Sequence, residues 1–145
     1  MKRLVVILLM GLAAALAACG ADEPASTAEL SVTATDLAYG ATRLEVMARQ
    51  PVKLTLHNEG ALEHDFSIME MPHTGEVMVE EMESEMAGHD MGQMTTDPEI
   101  HVAAPVGGSS IVEFTPSTPG EYEFFCTVAG HKEAGMVGTL VVTAP

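Results

Sequence analysis

Cys126, His131 and Met136 place a thiol, an imidazole and a thioether at even spacing in one short stretch, Cys126-Thr127-Val128-Ala129-Gly130-His131-Lys132-Glu133-Ala134-Gly135-Met136. All three side chains bind soft or borderline metals. Cys126 follows Tyr122 and Phe124 in an alternating run, so by the two-residue period of a strand it shares their inward face. Met136 opens a second run through Gly138, Leu140 and Val142. Two strands joined by a loop with a ligand at each end and His131 in the middle can close round a single ion. Two nitrogens and a thiolate in one plane, with a weak axial thioether, is the donor set of a copper ion that exchanges one electron. His64 supplies the second imidazole: it opens the run His64, Phe66, Ile68, whose polar alternates are Asp65 and Ser67, and so points to the same inward side.

Several of these stretches carry a family resemblance. Asn58-Glu59-Gly60 precedes His64-Asp65-Phe66; Pro119-Gly120-Glu121-Tyr122-Glu123-Phe124-Phe125 runs into Cys-x4-His-x4-Met; Val137-Gly138-Thr139-Leu140 follows. Together they resemble the cupredoxins, in particular the plastocyanin-, azurin- and auracyanin-like single-domain electron carriers, over residues 29–143 with an interruption from 69 to 98. The resemblance implies an all-β, antiparallel Greek-key β-sandwich. It also implies one type 1 copper ion bound by His64, Cys126, His131 and Met136, and an apolar docking patch of Val128, Ala129, Gly130, Ala134 and Gly135 around His131. Asp65 departs from the family pattern, which often has Asn there. A carboxylate can still accept a backbone N–H, that of Thr127 being the expected donor.

The elements that position these residues are short. Leu30, Val32 and Ala34 alternate with polar residues, Leu44–Met47 is a weaker strand, and Val52, Leu54 and Leu56 lead into the turn at Asn58-Glu59-Gly60. Ile100–Val102, Ser109–Phe114, Gly120–Phe125 and Val137–Val142 follow, giving about seven strands with turn signals between them, the count of a β-sandwich. His57 and His101 fall on the outward face of their runs and are expected at the surface.

Residues 69–98 break the pattern: they hold no Lys or Arg, eight acidic residues, and seven of the 11 Met. Met78, Met82 and Met86 recur at i, i+4 and i+8, which predicts a short amphipathic helix over Glu76–Ala87 stopped by Gly88. Thioethers suit Cu(I), so Met78, Met82, Met86 and His89 form a candidate second, looser copper site, with Met69, Met71, His73, Met91 and Met94 nearby in sequence. A Met face packed over the sandwich, or an acidic loop, is the alternative without metal.

At the N-terminus, Met1-Lys2-Arg3 precedes an uncharged apolar run, Leu4–Ala18, shorter than the roughly 20 residues of a spanning helix. Leu16-Ala17-Ala18-Cys19 resembles a lipobox. Residues 1–18 are therefore expected to be a lipoprotein signal, Cys19 the lipid-bearing residue, 19–28 a flexible tether and 29–145 the domain. That leaves one of the 2 Cys, Cys126, unpaired in an exported protein, and metal ligation accounts for it. Without Lys2 and Arg3 the chain has 6 − 2 = 4 basic and 21 acidic residues, a formal charge of −17. Such a surface repels nucleic acid and suits basic partners, such as a c-type cytochrome or a basic docking face on a membrane oxidase or reductase.

The expectation is thus an exported, lipid-anchored monomer on the periplasmic or extracytoplasmic face, moving electrons and not acting as an enzyme. A periplasmic copper-delivery or copper-resistance role using the Met-rich insertion is the competing reading. A binuclear copper centre would need a second Cys between 127 and 130, multicopper oxidases need His-x-His pairs, and no Ser/His/Asp set or phosphate loop is apparent.

Overall fold

The computed structural model describes residues 26–81 and 97–145, and all of its regular structure is β. Ten strands run in order: β1 Ala28–Thr35, β2 Ala38–Tyr39, β3 Arg43–Met47, β4 Val52–Asn58, β5 His64–Ile68, β6 Met78–Glu81, β7 Ile100–Ala104, β8 Ser109–Phe114, β9 Gly120–Phe125 and β10 Val137–Thr143. They form two five-stranded sheets, ordered β2-β1-β4-β8-β6 and β3-β10-β9-β5-β7. The alternating runs bury one face each, as in β4 and β8, where every second residue is buried. Val32, Leu54, Leu56 and Val112 of the first sheet face Phe66, Ile68, Phe124 and Leu140 of the second, all without solvent exposure beyond 1%. Phe66 and Phe124 stack at 4.7 Å between ring centroids, and Tyr39 meets Phe124 edge-on at 5.2 Å.

Two expectations need correction. The sandwich is mixed rather than purely antiparallel, because β1 pairs parallel with β4 and β3 parallel with β10. The chain leaves β1 for the short β2 and the opposite sheet before returning as β4, so no hairpin sets those directions. The helix over Glu76–Ala87 does not form where it is described: Met78–Glu81 is an edge strand, with Val79 opposite Val112 of β8. Backbone pairing with an available edge outweighs the helical spacing of the methionines; residues 82–87 lie outside the described residues. Unlike β4 and β8, β5 is buried on both faces, Asp65 and Ser67 included, because it lies between β9 and β7 and a polar network covers its second face.

Candidate metal centre

Cys126 leaves the end of β9 and Met136 leads into β10, and the two are tied across the base of their loop by the Cys126 N–H donating to the Met136 carbonyl at 3.2 Å. Within the loop the His131 N–H donates to Val128, Ala134 to Gly130, and Met136 back to the His131 carbonyl, each at 3.0–3.1 Å. Gly130 and Gly135 adopt φ of +85° and +104° with nothing near a would-be Cβ, so their role is backbone conformation, which lets the chain turn back on itself within ten residues. His64 opens β5 opposite Ala104 of β7. Its approach is set by buried Asn58, whose Nδ2 donates to the carbonyls of Leu62 and Ala104 at 2.8 and 2.9 Å, while its Oδ1 accepts the Gly60 N–H.

These elements bring the donors together. The ligand atoms of His64, Cys126 and His131 all lie within 4.8 Å of one another, and all three residues are buried. Nδ1 of His131 is 3.4 Å and Nδ1 of His64 4.0 Å from the Cys126 sulfur, with the two rings 5.0 Å apart. Metal bonds of about 2.0–2.3 Å at 120° separate their donors by about 3.5–4 Å, so the triangle fits a single three-coordinate ion. Met136 is fully buried at the loop base beside Cys126.

The second face of β5 surrounds the thiol. Both Asp65 oxygens accept the Thr127 N–H, at 2.9 and 3.1 Å, as expected, and Oδ2 also accepts the Thr127 hydroxyl at 2.6 Å. Ser67 Oγ donates to Asp65 Oδ1 at 2.9 Å, and Nδ1 of His101 lies 2.8 Å from that hydroxyl. His101 is therefore half-buried and bonded rather than at the surface, and His57 likewise has its Nδ1 2.7 Å from Ser109 Oγ. The Tyr39 hydroxyl donates to the Asp65 carbonyl, and burial, then the charges of Cys126 and Asp65, push its ionisation far up. Tyr39 carries no sequence signal for this role, since Ala38–Tyr39 is too short to show a period.

Of the candidate second site, Met78 lies exposed on β6, while Met82, Met86 and His89 are outside the described residues, as is Cys19. Met71 is fully buried in the core and His73 has its Nδ1 3.0 Å from the Met71 carbonyl, so these two pack on the sandwich.

Burial, and then the neighbouring His131, hold the His64 imidazole below the ordinary 6.5, whereas burial, and then Asp65, push the Cys126 thiol from 9.0 up to about 11. In the metal-free protein the unfolded chain thus takes up a proton at His64 before the folded one, and stability falls as the pH drops from 6.5 through the lower folded value. The thiol works in the other direction: its contribution is complete below pH 9 and disappears as the pH rises to about 11, a loss of order 2–3 kcal/mol. Denaturant unfolding of metal-free protein should therefore give its highest midpoint between these limits; a midpoint still rising from pH 9 to 11 would contradict this assignment.

Comparison with known proteins agrees with the geometry. The family described as copper binding proteins, plastocyanin/azurin family, matches residues 26–143. The copper-resistant cuproprotein CopI of Pseudomonas aeruginosa is 29% identical over 83% of this chain and 81% of its own length. Auracyanin-B of Chloroflexus aurantiacus is 28% identical over 84% of this chain, which spans only 54% of that protein. Among solved structures, auracyanin A, a "blue" copper protein from the same organism, superposes with a TM-score of 0.60 at 24% identity, covering 81% of this chain and 99% of that one. A buried thiol flanked by two imidazoles at the end of a two-sheet sandwich, within a match that takes in nearly all the described residues, makes this chain a copper-binding cupredoxin of the plastocyanin/azurin family.

Proposed function

We propose that the protein carries single electrons through one type 1 copper ion, which His64, Cys126 and His131 would hold as the strong donors and Met136 as the weak one. The observation that carries this reading is the convergence of one thiol and two imidazoles within 4.8 Å, His64 at the start of β5 and Cys126 and His131 in the hydrogen-bonded loop between β9 and β10. When bound, copper supplies a Cu(II)/Cu(I) couple that suits this donor set in both states. The chain's part is to keep the donors still. Cys126 and Met136 are tied to each other, Asp65 ties the Cys126 loop to β5, and Asn58 ties the approach to His64. Little then has to move when the charge changes.

Around His131, itself 4% exposed, the residues Ala129, Gly130, Ala134 and Gly135 are exposed. Leu37, Leu62 and Val106, on turns at the His64 end, are also exposed and supply the apolar side chains for docking. The strongly acidic chain selects basic redox partners, such as a c-type cytochrome or a membrane oxidase or reductase. The protein works outside the cytoplasm as a monomer, anchored through lipid on Cys19, and transfers electrons without acting as an enzyme.

The likeness to CopI favours a second reading, copper resistance by capture or delivery, in which the Met-rich stretch takes part. Copper titration of the purified protein separates the two. Electron transfer requires one tightly held equivalent, with an intense visible thiolate-to-Cu(II) band that bleaches on reduction and returns on reoxidation. A colourless Cu(II) protein, or several exchangeable equivalents whose binding is lost with residues 82–96, would overturn it.

A further inference from the structure

In the site described above, Nδ1 of each imidazole faces the Cys126 sulfur, so on the copper reading Nε2 is the nitrogen of His64 that keeps its proton. That Nε2 is fully buried and has no hydrogen-bond partner among the described residues. A metal-bound imidazole ordinarily gives this proton to a carboxylate, a carbonyl or water, which fixes both tautomer and ring orientation. The nearest charged group is on a different part of the chain. Asp36 sits in the two-residue turn between β1 and β2, next to Leu37, which adopts φ of +64°. Its Oδ1 is 3.9 Å from His64 Nε2.

Three features show that this approach is built. The same Oδ1 accepts the Ala61 N–H at 2.8 Å, which holds the carboxylate over the loop leading to His64 and leaves it one lone pair to spare. The Asp36 side chain is 58% exposed, and a shift of about 1 Å would bring the pair to hydrogen-bond length. Gly60 lies between the two groups: a Cβ there would come within 2.8 Å of Asp36 Oδ1 and 2.8 Å of His64 Nε2. The glycine is required because a carboxylate and an imidazole share the space that its side chain would fill.

We propose that Asp36 is a positioning residue of the copper site, its carboxylate accepting the Nε2–H of His64 across the gap that Gly60 keeps open, so that Nδ1 is held towards Cys126. This rests on the copper reading, and it adds a fixed negative charge on the far side of the buried ligand. The charge is supplied by a turn 28 residues earlier in the chain.

The test is made on the reduced, copper-loaded protein, which is diamagnetic, by following solvent exchange of the His64 Nε2–H by nitrogen NMR, with Cu(I) affinity measured by competition with a chromophoric chelator. Asp36→Ala is expected to speed the exchange and weaken Cu(I) binding by about tenfold or more. Asp36→Asn, whose amide oxygen can still accept, should recover most of both. Gly60→Ala keeps the carboxylate but blocks the contact, and should reproduce the loss even if Asp36→Ala folds poorly. Glu59→Gln removes a neighbouring exposed charge and should change neither readout. Exchange in Asp36→Ala and Gly60→Ala within twofold of the unmodified protein would overturn the role of Asp36, as would an unmodified Nε2–H exchanging at the rate of free imidazole. If the unmodified oxidised protein lacks the visible band, the copper reading falls and this inference falls with it; if the band is present and exchange is unaltered, only Asp36 is displaced.

Discussion

Gly138→Ala is expected to destabilise the metal-free protein by about 2–3 kcal/mol, although alanine is ordinarily the better residue in a strand. Gly138 lies on β10 directly opposite Phe124 of β9, and the aromatic ring lies over it. A Cβ at 138 would meet three ring atoms at 2.2, 2.6 and 2.7 Å, so the ring has to leave. It has nowhere to go cheaply, because its other face stacks on Phe66 and its edge meets Tyr39. Phe124 is two residues from Cys126, Phe66 two residues from His64, and the Tyr39 hydroxyl holds Asp65, so displacement of one ring reaches three parts of the centre. Thermal unfolding should fall by roughly 10 °C. Gly40→Ala is the control: its Cβ would meet Thr33 at 3.6 Å, an ordinary contact, and its midpoint should stay within a degree or two of the unmodified protein. An unfolding midpoint for Gly138→Ala equal to that of Gly40→Ala would contradict this account of the core.

The centre was more legible in the sequence than the sandwich that carries it. Cys126, His131 and Met136 sit in one loop between two runs of clear alternation, so the nearness of the thiol to the imidazole and the inward burial of all three can be read locally. His64 needed only its own strand. The direction in which two strands pair leaves no mark on their hydrophobic pattern, which is why the parallel pairs β1 with β4 and β3 with β10 were not foreseen. The two-residue rule also fails where a strand is covered on both faces. Asp65 and Ser67 read only as the polar alternates of their run, yet inside the sheet they are the start of a buried polar chain to His101. Met78 fits a helical stripe with Met82 and Met86, but a free sheet edge beside β8 offers backbone hydrogen bonds that spacing cannot show. Asp36 and Tyr39 are the clearest cases of the same limit. Each lies in or beside a two-residue turn, and each acquires its role only from what folding places across from it.

The Thr127 N–H was foreseen as a donor to Asp65, and the charge of that carboxylate leads to the second large effect. Asp65 Oδ2 is 3.8 Å from the Cys126 sulfur in a site without solvent, so a full negative charge stands beside the proposed thiolate ligand. Such a charge favours the more positive oxidation state of anything bound there. Asp65→Asn should raise the reduction potential of the copper-loaded protein: at an effective dielectric of about 20 a unit charge a few ångströms away contributes about 3 kcal/mol, or about 130 mV for one electron. The geometry survives the change, since the amide oxygen can still accept the Thr127 and Ser67 hydrogens and the amide N–H₂ can turn to the Thr127 hydroxyl and the sulfur. In the metal-free variant the thiol should also ionise below its present value of about 11, while burial, the larger cause, keeps it above 9. Spectroelectrochemical titration measures the first shift and thiolate absorbance against pH the second. A potential that falls, or one that moves by less than about 30 mV, would mean that the Asp65 charge is already neutralised where it stands, and that the hydrogen bonds from Ser67 and Thr127, rather than the charge, are what this residue contributes.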